Sequence, residues 1–230
     1  MEKGSLESET QQDANFVNSG FMAGLEESEF QSILDAIKEQ ESKYKYYIFG
    51  QYEQDGNADN GAEDIEWIIL EETNDSMLLI SRYILDYVPF NDTVIAESTD
   101  WSRSTLRNWL NNKFYNSAFS YEEQQRIMEI QVQDYHSDNM LGKISYDKVF
   151  ILSKKQAFEY FEYDFERATV STTYANKRTM FPEDSYWLIN SHSSDLYKCV
   201  INSDGRNENN PRVNEDEGIR PVIVIQTQVK

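Results

Sequence analysis

The chain is poor in the residues that most chemistry needs. Among 230 residues there is one cysteine, Cys199, and two histidines, His136 and His192. One cysteine excludes an intrachain disulfide and a cysteine-based zinc cluster. It suits a reducing compartment, and equally an exported protein that does without disulfides. The two histidines lie far apart, and neither has a partner at metal-ligand spacing. There is no G-x-S-x-G elbow, no Walker A motif and no G-x-G-x-x-G fingerprint. The cluster Ser191-His192-Ser193-Ser194-Asp195 holds triad residue types, but triad members usually come from distant segments. Acid pairs such as Glu122-Glu123 are too common here to single out a carboxylate dyad.

Positive charge is also scarce. Acidic residues number 41 against 21 Lys and Arg, a formal charge of −20. Such a chain repels phosphate backbones and anionic membrane surfaces, so nucleic acid is not expected as a partner. No apolar run reaches ~18 residues, so no membrane-spanning helix is expected. The opening MEKGSLESETQQ is polar and acidic, unlike a signal peptide. The chain therefore reads as cytoplasmic, or as exported with its signal removed.

What is present is a large apolar and aromatic stock. Hydrophobic residues make up 39% of the chain, with 15 Tyr, 12 Phe and 4 Trp. That supports a packed core. Residues 1–43 differ: they hold ten of the acids and three of the bases. Their first half reads as a flexible leader. Ser28-x-x-Gln31 then has the form of a capping box, followed by Phe30, Ile33, Leu34 and Ile37 at helical spacing. A short amphipathic helix is expected there, docked on the domain or bound to a partner.

Residues 44–230 read as a single α+β domain. Alternating apolar segments predict strands over 44–52, 65–70 and 77–83, joined by Gly/Asn/Asp-rich loops as an antiparallel meander. Leu106, Trp109, Leu110 and Phe114 form the apolar stripe of a helix. Ser120-x-x-Glu123 predicts a helix running on through Ile127, Met128 and Ile130. Ser153-x-x-Gln156 predicts another, with Phe158 and Phe161. Strands are expected over 147–152, 186–189, 197–202 and 219–225, with a long polar loop before the last.

These landmarks, in order, resemble a family of uncharacterised bacterial domains, domain of unknown function 6273. The carriers are IFGQY (48–52), IEWIIL (65–70), LLISRYILD (78–86), WSRSTLRNWLNNKFYNSAFS (101–120), DKVFILS (147–153), YWLIN (186–190) and GIRPVIVI (218–225). STLRNWLN is the strongest of them. The family usually carries Arg-Ser after the Trp-Leu, where this chain has Ile189-Asn190. The ending also resembles, more distantly, the C-type-lectin-like fold of formylglycine-generating enzymes. That resemblance implies a compact α+β domain whose loops carry the binding surface; fold alone does not fix function. It implies copper held by paired cysteines, or in its iron-dependent cousins several histidines, and this chain has neither set.

The expected function is therefore a non-catalytic recognition domain for a protein or a glycan. The expected face is built by Trp187, Asn190, His192, Arg206 and Arg212. Arg107, Trp109 and Arg220 are expected to be structural, the arginines as ion pairs. One cation site is conceivable. Asp55-x-Asn57-x-Asp59 opens a window ending at Glu66 that echoes an EF-hand loop. Its sixth position is Asn60, with Gly61 one place late, and its flanks read as strands. A solvated hairpin loop fits better, with calcium the one cofactor left open; the 204–217 loop is similar. Two alternatives stand beside recognition: an enzyme with a metal-assisted site, and an accessory domain that assembles through the N-terminal helix.

Overall fold

A computed structural model describes residues 43–94, 100–135, 141–191, 194, 196–207 and 210–227. The chain divides into two units, Met1–Tyr44 and Lys45–Lys230. The expected helix around Phe30–Ile37 lies outside the described residues.

The second unit is built on antiparallel sheets, an α+β fold. Strands β1 (Tyr46–Tyr52), β2 (Glu63–Glu72) and β3 (Ser76–Ser81) form the expected meander. The sheet continues through β11 (Val222–Gln226) to β7 (Val149–Phe150), giving the order β1-β2-β3-β11-β7. Side chains alternate across a pleated strand, so one apolar set faces inward. Here that set includes Ile65 and Trp67 of β2, Leu79 of β3 and Ile223 and Ile225 of β11, all fully buried.

A second sheet has the order β4-β10-β8-β9, from β4 (Asp86–Pro89), β10 (Asp216–Ile219), β8 (Tyr186–Ser191) and β9 (Lys198–Ile201). Its pairs are antiparallel except β10 with β8, which meet in parallel at Gly218 and Tyr186. A side chain on Gly218 would overlap the Ser185 carbonyl. Glycine is what permits this close approach of two backbones.

The run GIRPVIVI is not one strand. Its first part belongs to β10 in the second sheet and its last part to β11 in the first. Pro221 at the break cannot donate to a ladder, while its carbonyl accepts from Ser81 N at 2.9 Å. Arg220 is buried at this crossing. It donates to the Ser81 carbonyl at 2.8 Å and lies near the rings of Phe161 and Tyr186. The expected carboxylate partner is thus replaced by carbonyls, a phenol and two aromatic faces.

The helices are short. Helix α1 (Thr105–Trp109) passes through a π turn (Leu110–Phe114) into α2 (Tyr115–Ala118). Leu106, Leu110 and Phe114 are buried and Trp109 half-buried, with its ring 5.7 Å from that of Phe114. Capping boxes start α3 (Tyr121–Arg126) at Ser120 and α4 (Lys154–Tyr160) at Ser153, both as expected. Helix α3 stops at Arg126, however, and Ile127 is extended. Residues Ile130–Tyr135 form β5, paired with β6 (Leu141–Asp147) in a separate hairpin. The alternation of Ile130 and Val132 with polar neighbours is a strand signal that the apolar spacing of Ile127 and Ile130 had masked. Helices α5 (Asp164–Arg167) and α6 (Thr173–Asn176) complete the chain order. No helix among the described residues is long and apolar enough to cross a membrane.

Candidate functional site

Of the expected binding residues that the structure describes, two are buried and two are exposed. Trp187 in β8 is 1% exposed, donates from Nε1 to the Val88 carbonyl at 2.8 Å, and meets Phe90 edge to face. It presents no surface in this conformation. Asn190 is buried too, and its Oδ1 accepts the Lys154 backbone N–H at 2.6 Å, anchoring the start of α4. Both follow from β8 being buried along its whole length. Arg206 is exposed and pairs with Asp164 and Asp204. Arg212 is exposed against Tyr197, its Nε 3.3 Å from the hydroxyl. His192 lies outside the described residues, as does His136. Arg107 pairs with buried Asp147 and donates to the Tyr146 carbonyl.

The hairpin loop is wired internally. Asp55 accepts from Asn57 N and Asn60 Nδ2, both at 2.7 Å, and these bonds hold its carboxyl below the usual range, the Asn60 bond most. The Asn57 side chain accepts from Asp59 N. Carboxylate oxygens of Glu53, Asp55 and Glu63 lie within 4.8 Å of one another, and Asp59 stays outside that group. Glu53 and Glu63 are already engaged with backbone N–H groups of residues 54–57.

A different part of the last third forms a concavity. Thr172 caps α6, its hydroxyl accepting from Ala175 N at 3.1 Å. The chain then leaves the helix as the loop 177–183, which carries Met180 and Phe181 at 86% and 73% exposure. Asp184 closes this loop in the left-handed region, at φ 52. That conformation is costly for a residue with a Cβ and persists only where its surroundings hold it. Here Asp184 Oδ1 accepts Ser171 N and its own N–H reaches the Tyr87 hydroxyl. Opposite, the turn Arg212–Glu215 feeds β10, and the crossing at Gly218 sets Glu217 beside Ser185.

Between these walls runs a groove of about 860 Å³, lined by Arg178, Met180, Phe181, Glu183, Asp216 and Glu217 among others. A smaller cavity of about 390 Å³ adjoins it at Glu183 and reaches Ser185, Asn202 and Asp204. The Ser185 hydroxyl donates to Glu217 Oε2. Burial, with the neighbouring charges of Glu183, Glu215 and Asp216, pushes the Glu217 carboxyl up to about 7, against a smaller lowering by the Ser185 bond. Asp216 is raised as well, by burial and by Asp86, with Arg178 opposing.

The cations at the groove are already engaged. Arg178 Nε lies 3.3 Å from Asp86, whose buried carboxylate also accepts the Tyr52 hydroxyl at 2.8 Å. Lys177 donates to the Gly56 carbonyl. Ser185 with a carboxylate of raised pKa resembles a nucleophile and base in composition. Acyl transfer, however, also needs donors or cations where negative charge develops. Here Glu183, Glu215, Asp216 and Asp204 surround the pair. The arrangement favours holding a positive charge over stabilising a negative one.

Among the described residues, Trp187, Asn190, Arg206 and Arg212 do not line this groove, which lies in the same C-terminal third. The usable signal was Met180-Phe181, two adjacent large apolar residues in a charged loop. Glu217 and Ser185 gave none, because their approach depends on the β8–β10 crossing.

An antiparallel α+β domain with an acidic groove beside its second sheet is the class these features define. The chain belongs to the family described as domain of unknown function (DUF6273), whose model matches residues 74–227. Strands β1 and β2 precede the matched stretch and pair into the same sheet as β3. No curated protein and no solved structure matches the chain.

Proposed function

We propose that the Lys45–Lys230 unit is a non-catalytic recognition module that engages a partner, a protein or a glycan, through loops of its C-terminal third. The observation that carries this reading is the groove between loop 177–183 and the start of β10. It pairs an exposed apolar wall with a carboxylate wall and falls in the size range of binding clefts. The resemblance of the ending to lectin-like domains, whose loops bind ligands, points the same way. The residues that carry the role differ from those expected: Met180, Phe181, Glu183 and Glu217 replace Trp187 and Asn190.

The test is a screen of the wild-type domain on glycan and peptide arrays, repeated with Phe181→Ser and Glu183→Gln. Hits that both variants lose support the groove as the binding face. Hits that both variants keep place recognition elsewhere. Arrays without hits, together with turnover of a chromogenic ester that Ser185→Ala abolishes, would favour an enzyme.

A further inference from the structure

We propose that the occupant of the groove is a basic, partly apolar peptide segment of another protein, with lysine or arginine against Glu183, Asp216 and Glu217 and an apolar side chain on Met180 and Phe181. This rests on the groove being the binding face, and it selects one occupant from those the face admits.

The argument begins with charge. Among the described residues, ion pairs engage Asp86, Asp134, Asp147 and Asp164 and none engages Glu183, Glu215, Asp216 or Glu217. The groove therefore carries negative charge that its own cations offset only in part, through Arg178 near Asp216. Anionic ligands, including acidic peptides and sulfated or sialylated glycans, are repelled. The formal charge of −20 adds long-range attraction for a cationic partner.

Charge alone would suit any cation. The apolar wall narrows the choice. Met180 and Phe181 are adjacent and both largely exposed, at 86% and 73%. A free amine or a metal ion gains nothing from them. A peptide that alternates basic and apolar side chains uses both walls at once. The volume of about 860 Å³ admits a few side chains of an extended segment and not a folded surface. A ligand cation also removes the repulsion among the four carboxylates, which favours their ionised forms.

The experiment titrates the full chain by calorimetry with three short peptides of equal length: alternating lysine and leucine, lysine and serine, and glutamate and leucine. Circular dichroism checks that each variant is folded. The lysine–leucine peptide binds best, the lysine–serine peptide about tenfold more weakly, and the glutamate–leucine peptide not at all. Glu183→Gln/Asp216→Asn weakens the first peptide by about tenfold or more. Met180→Ser/Phe181→Ser removes its advantage over the second. Glu122→Gln/Glu159→Gln, which neutralises exposed acids on α3 and α4, leaves binding unchanged. The proposal is overturned if the lysine–leucine peptide does not bind, if the α3/α4 variant weakens binding as much as the groove variant, or if leucine gives no advantage over serine. A neutral glycan or acidic peptide that binds and is lost in the groove variants would keep the groove as binding face and reject this occupant. A ligand that no groove variant affects rejects both.

Discussion

The interior of the second sheet buries its carboxylates fully, whereas the groove beside it half-buries one, Glu217, and leaves Glu183, Glu215 and Asp216 exposed. In the interior, Asp134 and Lys198 are each 1% exposed and 3.9 Å apart. The ammonium also donates to the Ile189 carbonyl and the Ser191 hydroxyl and lies 4.5 Å from the Phe90 ring centroid. Asp134 in turn accepts the Trp101 N–H, and Asp147 takes the Trp101 indole and Arg107. In the groove, Glu217 has the hydroxyl of Ser185 and the charges of three acids beside it. A burial cost is thus offset by a matched cation in one region and left standing in the other. Uncompensated charge at a concavity is the difference that points to a partner.

The sharpest way to break the comparison is to unmatch the interior. Lys198→Met removes the ammonium 3.9 Å from buried Asp134, and urea unfolding should show a loss of about 3–5 kcal/mol. Replacing both, as Lys198→Met/Asp134→Leu, should recover much of that loss. Equal losses in the single and double variants would mean that packing, not charge matching, governs the site.

The groove should show the opposite sign. The Glu217 carboxyl is raised above its unfolded value of 4.5 to about 7. A raised acid contributes stability that is complete below its unfolded pKa and is lost as pH rises through the folded one. Between about pH 4.5 and about pH 7 the wild type should therefore lose stability relative to Glu217→Gln, by on the order of 3 kcal/mol at most. Chemical denaturation along that pH series reads the difference. Parallel curves would place Glu217 in an ordinary solvated setting.

The smallest effect is expected at the apolar wall. Met180→Ser and Phe181→Ser remove exposed side chains and should change stability by no more than about 0.5 kcal/mol. A larger loss in thermal unfolding would make these residues part of the core rather than a surface held open for a ligand.

Much of the fold was legible because it rests on local signals. The β1–β3 meander follows from alternation and turn residues, and two helix starts follow from Ser120 and Ser153 with their N3 partners. What escaped depends on distant contacts. GIRPVIVI is one apolar run, and its division between two sheets is visible only once Ser81 and Arg167 receive the Arg220 side chain. The β5–β6 hairpin was hidden by an apolar pattern shared with a short helix. Trp187 and Asn190 drew attention because they precede polar loops, yet their strand is covered on both faces. The groove joins Ser185 to Glu217 across 32 residues, a pairing no local pattern encodes.

The most direct test of the groove as a cation-recognition face is the affinity of the lysine–leucine peptide measured from about pH 6 to about pH 8. The ionised Glu217 attracts the cation and the protonated form does not. Affinity should rise with pH through about 7, and the rise should disappear in Glu217→Gln. Affinity that is flat or falling over that range, or a rise that persists in Glu217→Gln, would contradict it.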